Sequence, residues 1–146
     1  MNESIRQRAF VSVYLILRRN NEILFLLRKN TGYCDGLYGL VAGHVDEGEG
    51  AITAMVREAK EEAGIEILPD RLKPVHIMHR SEKRNNVDIF FECSDWRGAI
   101  CNREPEKCEA LQFFSLDALP ANSIEYIRRA LKDISRGKFF SEFGWA

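Results

Sequence analysis

Between Ala51 and Ala63 the apolar residues Ile52, Met55, Val56, Ala59 and Ala63 recur at i, i+3, i+4, i+7 and i+11, the spacing of a helix with one buried stripe. Gly64 follows as a stop signal. This helix must lie on something apolar, and what it keeps on its other side is unusual. Glu58, Glu61 and Glu62, at ~100° per residue, share an arc of about 100°. Glu58 and Glu62 form a like-charged i, i+4 pair that costs about 0.2–0.5 kcal/mol, and all three sit near the negative end of the helix dipole. Arg57 is the one cation placed to help, four residues before Glu61 in the less favourable order, while Lys60 points away. Glutamate-rich helix faces are commonly only solvated. A face that contradicts its own local preferences is more often functional, and a bound cation would repair this one.

The rest of the composition narrows the classes. The 146 residues suit one domain spanning 1–146, and 45% hydrophobic content is ordinary for a globule with a real core. A net charge of −1, with both signs mixed along the chain, argues against a nucleic-acid polymer and against a polybasic membrane anchor. Cys34, Cys93, Cys101 and Cys108 form no CxxC pair, and no apolar segment follows the N-terminus as a signal peptide would require. The expected setting is cytoplasmic and reducing.

Ala9 to Leu17 and Glu22 to Leu27 are apolar, β-branched or aromatic runs joined by Asn20-Asn21, which predicts an antiparallel hairpin. The glycine-rich stretch after it predicts a long loop holding a short strand at Leu40 to Ala42. Beyond the helix, "LKPVHIMH", "VDIFFEC" and "ALQFFSL" predict strands, with the polar "RSEKRNN" as the connection between the first two. "SIEYIRRALKDIS" predicts a second amphipathic helix capped by Asn122 or Ser123 and stopped at Gly137. No repeat or linker interrupts this order, and a mixed α/β sheet between helices accounts for it. His76 and His79, three apart in a strand, face opposite ways and form no zinc site.

Read outward from the acidic helix, "GHVDEGEGAITAMVREAKEEAGI" places Gly43, Glu49, Arg57, Glu58, Glu61, Glu62 and Gly64 at the spacing of the Nudix box. The sequence resembles the Nudix hydrolases. The segments "GLYGL" before the box and "NREPEKCEALQFFSLDALP" after it look like parts of nucleotide-cleaving members. The resemblance implies an α/β/α sandwich that adds water at a phosphorus of a nucleoside diphosphate linked to another group, with Mg²⁺ or Mn²⁺ as cofactor. It implies Glu61 and Glu62 as metal ligands, Glu58 as a metal ligand or the general base, Arg57 as the residue that orients the glutamates, and a structural or outer-shell role for Glu49. The tight turn at Gly43 implies the backbone carbonyl of Ala42 as a further ligand, although Val41-Ala42-Gly43 stands where the family commonly has proline-glycine-glycine.

Outside the box, Arg28 and Lys29 end a strand where they could meet substrate phosphates, and of the loop acids Glu104 and Glu106 the second is favoured as another ligand or base. Phe113, Tyr38 and, less so, Phe114 could stack on a base, though aromatics in strands are usually core. Relatives that cut ADP-ribose or dinucleoside polyphosphates carry a diagnostic proline or tyrosine in the window 76–92, which has neither here. That favours a nucleoside triphosphate pyrophosphohydrolase yielding a monophosphate and pyrophosphate. The alternatives are an ADP-ribose or nucleotide-sugar hydrolase, an isoprenoid diphosphate isomerase, and a non-catalytic nucleotide-binding module. The aromatic tail "FFSEFGWA" is expected to pack on the protein or on a second copy in a homodimer.

Overall fold

A computed structural model describes residues 5–146. In chain order the elements are β1 (Phe10–Arg19), β2 (Glu22–Arg28), β3 (Tyr38–Gly39), β4 (Val41–His44), α1 (Ala51–Ala63), β5 (Lys73–Glu82), β6 (Arg84–Cys93), β7 (Cys108–Ser115), α2 (Glu125–Ser135) and β8 (Phe140–Phe143). β1 organises the mixed sheet. It runs parallel to β6, pairs antiparallel with β4 over Ser12 to Leu15, and at Arg18 and Arg19 turns into the hairpin with β2. β2 continues to β3 and β7, while β6 pairs with β5 and β5 with β8.

Alternation along β1 divides two cores, because successive strand side chains face opposite ways. Val13, Leu15 and Leu17 pack with Ala54, Met55, Ala59 and Ala63 of α1, and Tyr14 and Ile16 pack with Tyr126, Ile127 and Ala130 of α2. The sheet is therefore covered on both faces, as an α/β/α sandwich. α1 ends where expected: Gly64 adopts φ 68°, its N–H bonds to the Lys60 carbonyl, and a side chain there would press on Cys101.

Two local expectations differ, and the expected docking of the tail on the protein is seen. "RSEKRNN" is not a loop; β5 and β6 run through it to a turn at Lys83, which has φ 64°. Its polarity misled because Arg80 and Asn86 face inward. Neither Asn122 nor Ser123 caps α2: Ser123 Oγ donates to the Pro120 carbonyl, Asn122 to that of Gly36, and the helix starts after Ile124. The tail forms β8 on the chain's own sheet edge, with Phe143 near Tyr126 and Trp145 Nε1 donating to the His79 carbonyl at 2.9 Å, yet Phe139 and Phe140 remain over half exposed. His76 bonds Lys138 and Ser141, and His79 bonds Asn85.

Candidate active site

The acidic face of α1 opens on the outer edge of β4, and Arg57 organises it. Its guanidinium holds Glu49 through two bonds, Nε to Oε2 at 3.2 Å and Nη2 to Oε1 at 2.6 Å, and donates to the His44 carbonyl at 3.1 Å. Nη1 reaches Glu58 at 2.9 Å and Glu61 at 3.3 Å. Glu49 also accepts the Asp46 N–H at 2.9 Å, so it fixes the loop that enters the helix, and Arg57 lowers its pKa. The helix thus has more internal pairing than its sequence suggested, because Glu49, eight residues away, helps hold Arg57 over the acids.

Glu58 and Glu62 point into a cavity of about 690 Å³ that runs from the β4 edge onto the α2 side of the sheet. Glu58, whose side chain is 14% exposed, lies against Gly43, where any side chain would collide with its carboxylate. Burial raises the Glu58 pKa, Arg57 opposes the rise, and Glu61 and Glu104 add to it. Among the described residues, Glu62 has no cation as a hydrogen-bond partner. It accepts the Ala42 N–H at 3.1 Å, and its pKa rises well above the ordinary value through burial first and the Glu58 charge second. In an antiparallel ladder the N–H and C=O of one residue leave the strand on the same side. The Ala42 carbonyl therefore faces away from β1, toward the same acids.

Glu61 is exposed and leans on Arg57, and among the described residues no three His, Cys, Asp or Glu side chains are gathered into a closed cation site. The donor chemistry still fits a hard divalent ion. Two oxygen-bearing side chains are half-buried against each other, Glu104 adds a third charge, and a backbone carbonyl shares their side of β4.

The other expected residues divide. Arg28 lines the cavity, its Nε bonded to the Tyr33 carbonyl at 2.8 Å, but Lys107 lines it where Lys29 does not. Glu104 lines it and Glu106 does not: Glu106 is exposed, its carbonyl accepting from Asn30. Phe113 lies outside, under the Arg19 guanidinium at 3.9 Å, and Tyr38 and Phe114 pack edge to face with Phe25 in the α2 core. Sequence reasoning missed the far wall altogether. There Arg80 is bonded twice to Asp88, at 2.6 and 3.2 Å, donates to Tyr14 and Glu82, and covers the Tyr126 ring. A signal existed, since alternation puts Arg80 in phase with buried Met78 and Asp88 in phase with buried Phe90.

The site is thus a pair of neighbouring carboxylates, Glu58 and Glu62, at one strand edge of an α/β/α sandwich. The NUDIX domain model matches residues 6–134, and the chain belongs to that family. It is similar to an ADP-ribose pyrophosphatase of Methanocaldococcus jannaschii, 31% identical over 128 residues, 88% of this chain and 74% of that protein. It is also 27% identical over 110 residues to a NAD-capped RNA hydrolase, NudC, of Stutzerimonas stutzeri, covering 75% of this chain but 38% of that one, so the chain spans well under half of that relative. Among solved structures, a MutT NUDIX hydrolase from Burkholderia pseudomallei is 28% identical, with TM-score 0.79 over 86% of this chain and 98% of the other. No helix among the described residues is long and apolar enough to cross a membrane.

Proposed function

We propose that the chain is a divalent-metal-dependent nucleoside triphosphate pyrophosphohydrolase, releasing a nucleoside monophosphate and pyrophosphate. The observation that carries this reading is the meeting of Glu58, Glu62 and Glu104 with Arg28 and Lys107 around one cavity. Anions that repel one another and cations that attract phosphate belong together where a polyphosphate and its counter-ion bind. Glu58, Glu61, Glu62 and the Ala42 carbonyl would hold Mg²⁺ or Mn²⁺, with Glu61 released from Arg57. The ion supplies neutralisation of the phosphate charge and a lower pKa for water.

The chain's own groups do the rest. Arg28 and Lys107 draw the phosphates into place. Glu58 takes a proton from the water as its oxygen bonds to phosphorus and the phosphoanhydride bond breaks, and a carboxylate whose pKa is raised by burial suits a general base. Arg57 positions Glu58 and Glu61. Glu104 is the competing base from the loop, in place of Glu106.

A second reading, ADP-ribose hydrolysis, is favoured by the M. jannaschii relative. Product analysis on nucleoside triphosphates, ADP-ribose and NAD-capped RNA, with and without Mn²⁺, tests both. The expected result is metal-dependent pyrophosphate release from triphosphates. Faster formation of AMP and ribose 5-phosphate from ADP-ribose would replace the first reading with the second.

A further inference from the structure

The α2-side floor of the cavity carries polar side chains that phosphate chemistry leaves unused. Most are spent on one another. Arg80 gives its donors to Asp88, Tyr14 and Glu82, and Tyr14 shares a hydroxyl contact with Tyr126 at 3.1 Å. Asn86 differs. It is 1% exposed and lines the cavity, and its Nδ2 donates to the Arg84 carbonyl at 2.9 Å and lies 3.5 Å from that of Arg80. Two carbonyls at one end of the amide fix which end is nitrogen. The other end, Oδ1, is the single buried side-chain nitrogen or oxygen without a hydrogen-bond partner among the described residues.

An acceptor withdrawn from water and left unpaired costs its full desolvation, so it persists where something completes it. Ser12, 5% exposed, lines the same wall, and the parallel register of Phe10 with Asn86 and Ser12 with Asp88 puts Ser12 and Asn86 on one face. β1 separates β6, which carries Asn86, from β4, which carries Ala42, and Asn86 stands opposite Phe10 while Ala42 stands opposite Tyr14, so the two residues are about 10 Å apart across the sheet and about 13 Å along it, roughly 16 Å in all. Phosphate oxygens are acceptors at neutral pH and have nothing to offer Oδ1. A nucleoside has amino and hydroxyl donors.

We propose that Asn86 is a specificity-determining residue whose Oδ1 accepts a hydrogen bond from the nucleoside half of the substrate, with Ser12 beside it. This rests on the reading of the chain as a nucleotide hydrolase. The donor is an amino group of the base or a hydroxyl of the ribose, and substrate pairs separate the two sources: CTP against UTP changes the base donor, and CTP against dCTP removes the ribose 2′-hydroxyl.

The test is kcat/KM on these three substrates for the wild type and Asn86→Ala, with Mn²⁺ affinity and melting temperature measured alongside. The wild type is expected to discriminate in at least one pair. Asn86→Ala should lose about 10- to 100-fold on the preferred member and much less on the other, flattening that pair. Its Mn²⁺ affinity should stay within roughly twofold, since the residue acts on the nucleoside. Equal loss on all three substrates, or no loss in a folded variant, overturns the assignment. Should the variant fail to fold, the wild-type ratios decide: less than about threefold discrimination in both pairs overturns it equally. A wild type that cleaves no nucleotide would instead sink the hydrolase reading, and this inference with it.

Discussion

Arg80 and Glu62 are both ionisable side chains drawn toward the interior at one cavity, and their surroundings differ in one respect. Arg80, whose side chain is 6% exposed, has carboxylate partners at Asp88 and Glu82, and bonds to Asp88 hold its charge against the cost of burial. Glu62 has a backbone N–H on one side, Glu58 and Glu104 as like-charged neighbours, and Arg28 as the cation acting on it. Paired burial gives rigidity: the Arg80 network ties β5, β6, β1 and α2 into one wall. Poorly compensated burial stores electrostatic stress that a bound cation can release. The difference separates what the cavity is built from and what it is built to bind.

The largest effect expected from this contrast is kinetic. Replacing Glu58 with glutamine keeps the shape and removes the charge that receives a proton, so kcat should fall about 10²- to 10⁴-fold, while KM changes far less. Glu104→Gln is the control, and a greater loss there moves the base to the loop. Next in size is the paired end. Arg80→Met strands Asp88, which is fully buried, and should cost roughly 3–5 kcal/mol in a denaturant titration. Adding Asp88→Leu should recover part of that loss. If Arg80→Met is nearly neutral, the network is not the structural wall described here.

How much of this was legible in the sequence depends on whether a residue's partners are local. The α1 stripe, its Gly64 stop and the acids at i, i+3 and i+4 are set within one helix, so they could be read directly. β1 and β2 announce themselves by composition. Residues paired across strands could not be seen that way: "RSEKRNN" reads as a loop because Arg80 and Asn86 are polar, and only Asp88, a strand away in the folded sheet, makes Arg80 an inward residue. The choice of Glu104 over Glu106 turns on a loop path fixed by Asn102, which accepts the Glu104 N–H and donates to the Cys108 carbonyl. Alternation offered the one usable clue, since both Arg80 and Asp88 fall on the apolar phase of their strands.

The central claim, that the acidic end is held ready for a cation, is tested most directly by melting the wild type and Glu62→Gln at two pH values, with and without Mn²⁺. The Glu62 pKa is raised from its ordinary 4.5, so above 4.5 the folded state binds more protons at this site than the unfolded chain. Stability then falls as pH rises through that window, and stays lower beyond it. Without metal at pH 7.5, Glu62→Gln should be the more stable protein by about 1 kcal/mol, roughly 3 °C, and its advantage should shrink toward pH 5. Mn²⁺ should stabilise the wild type and reverse the order. A metal-free Glu62→Gln that melts below the wild type, or that gains as much from Mn²⁺, would contradict the account.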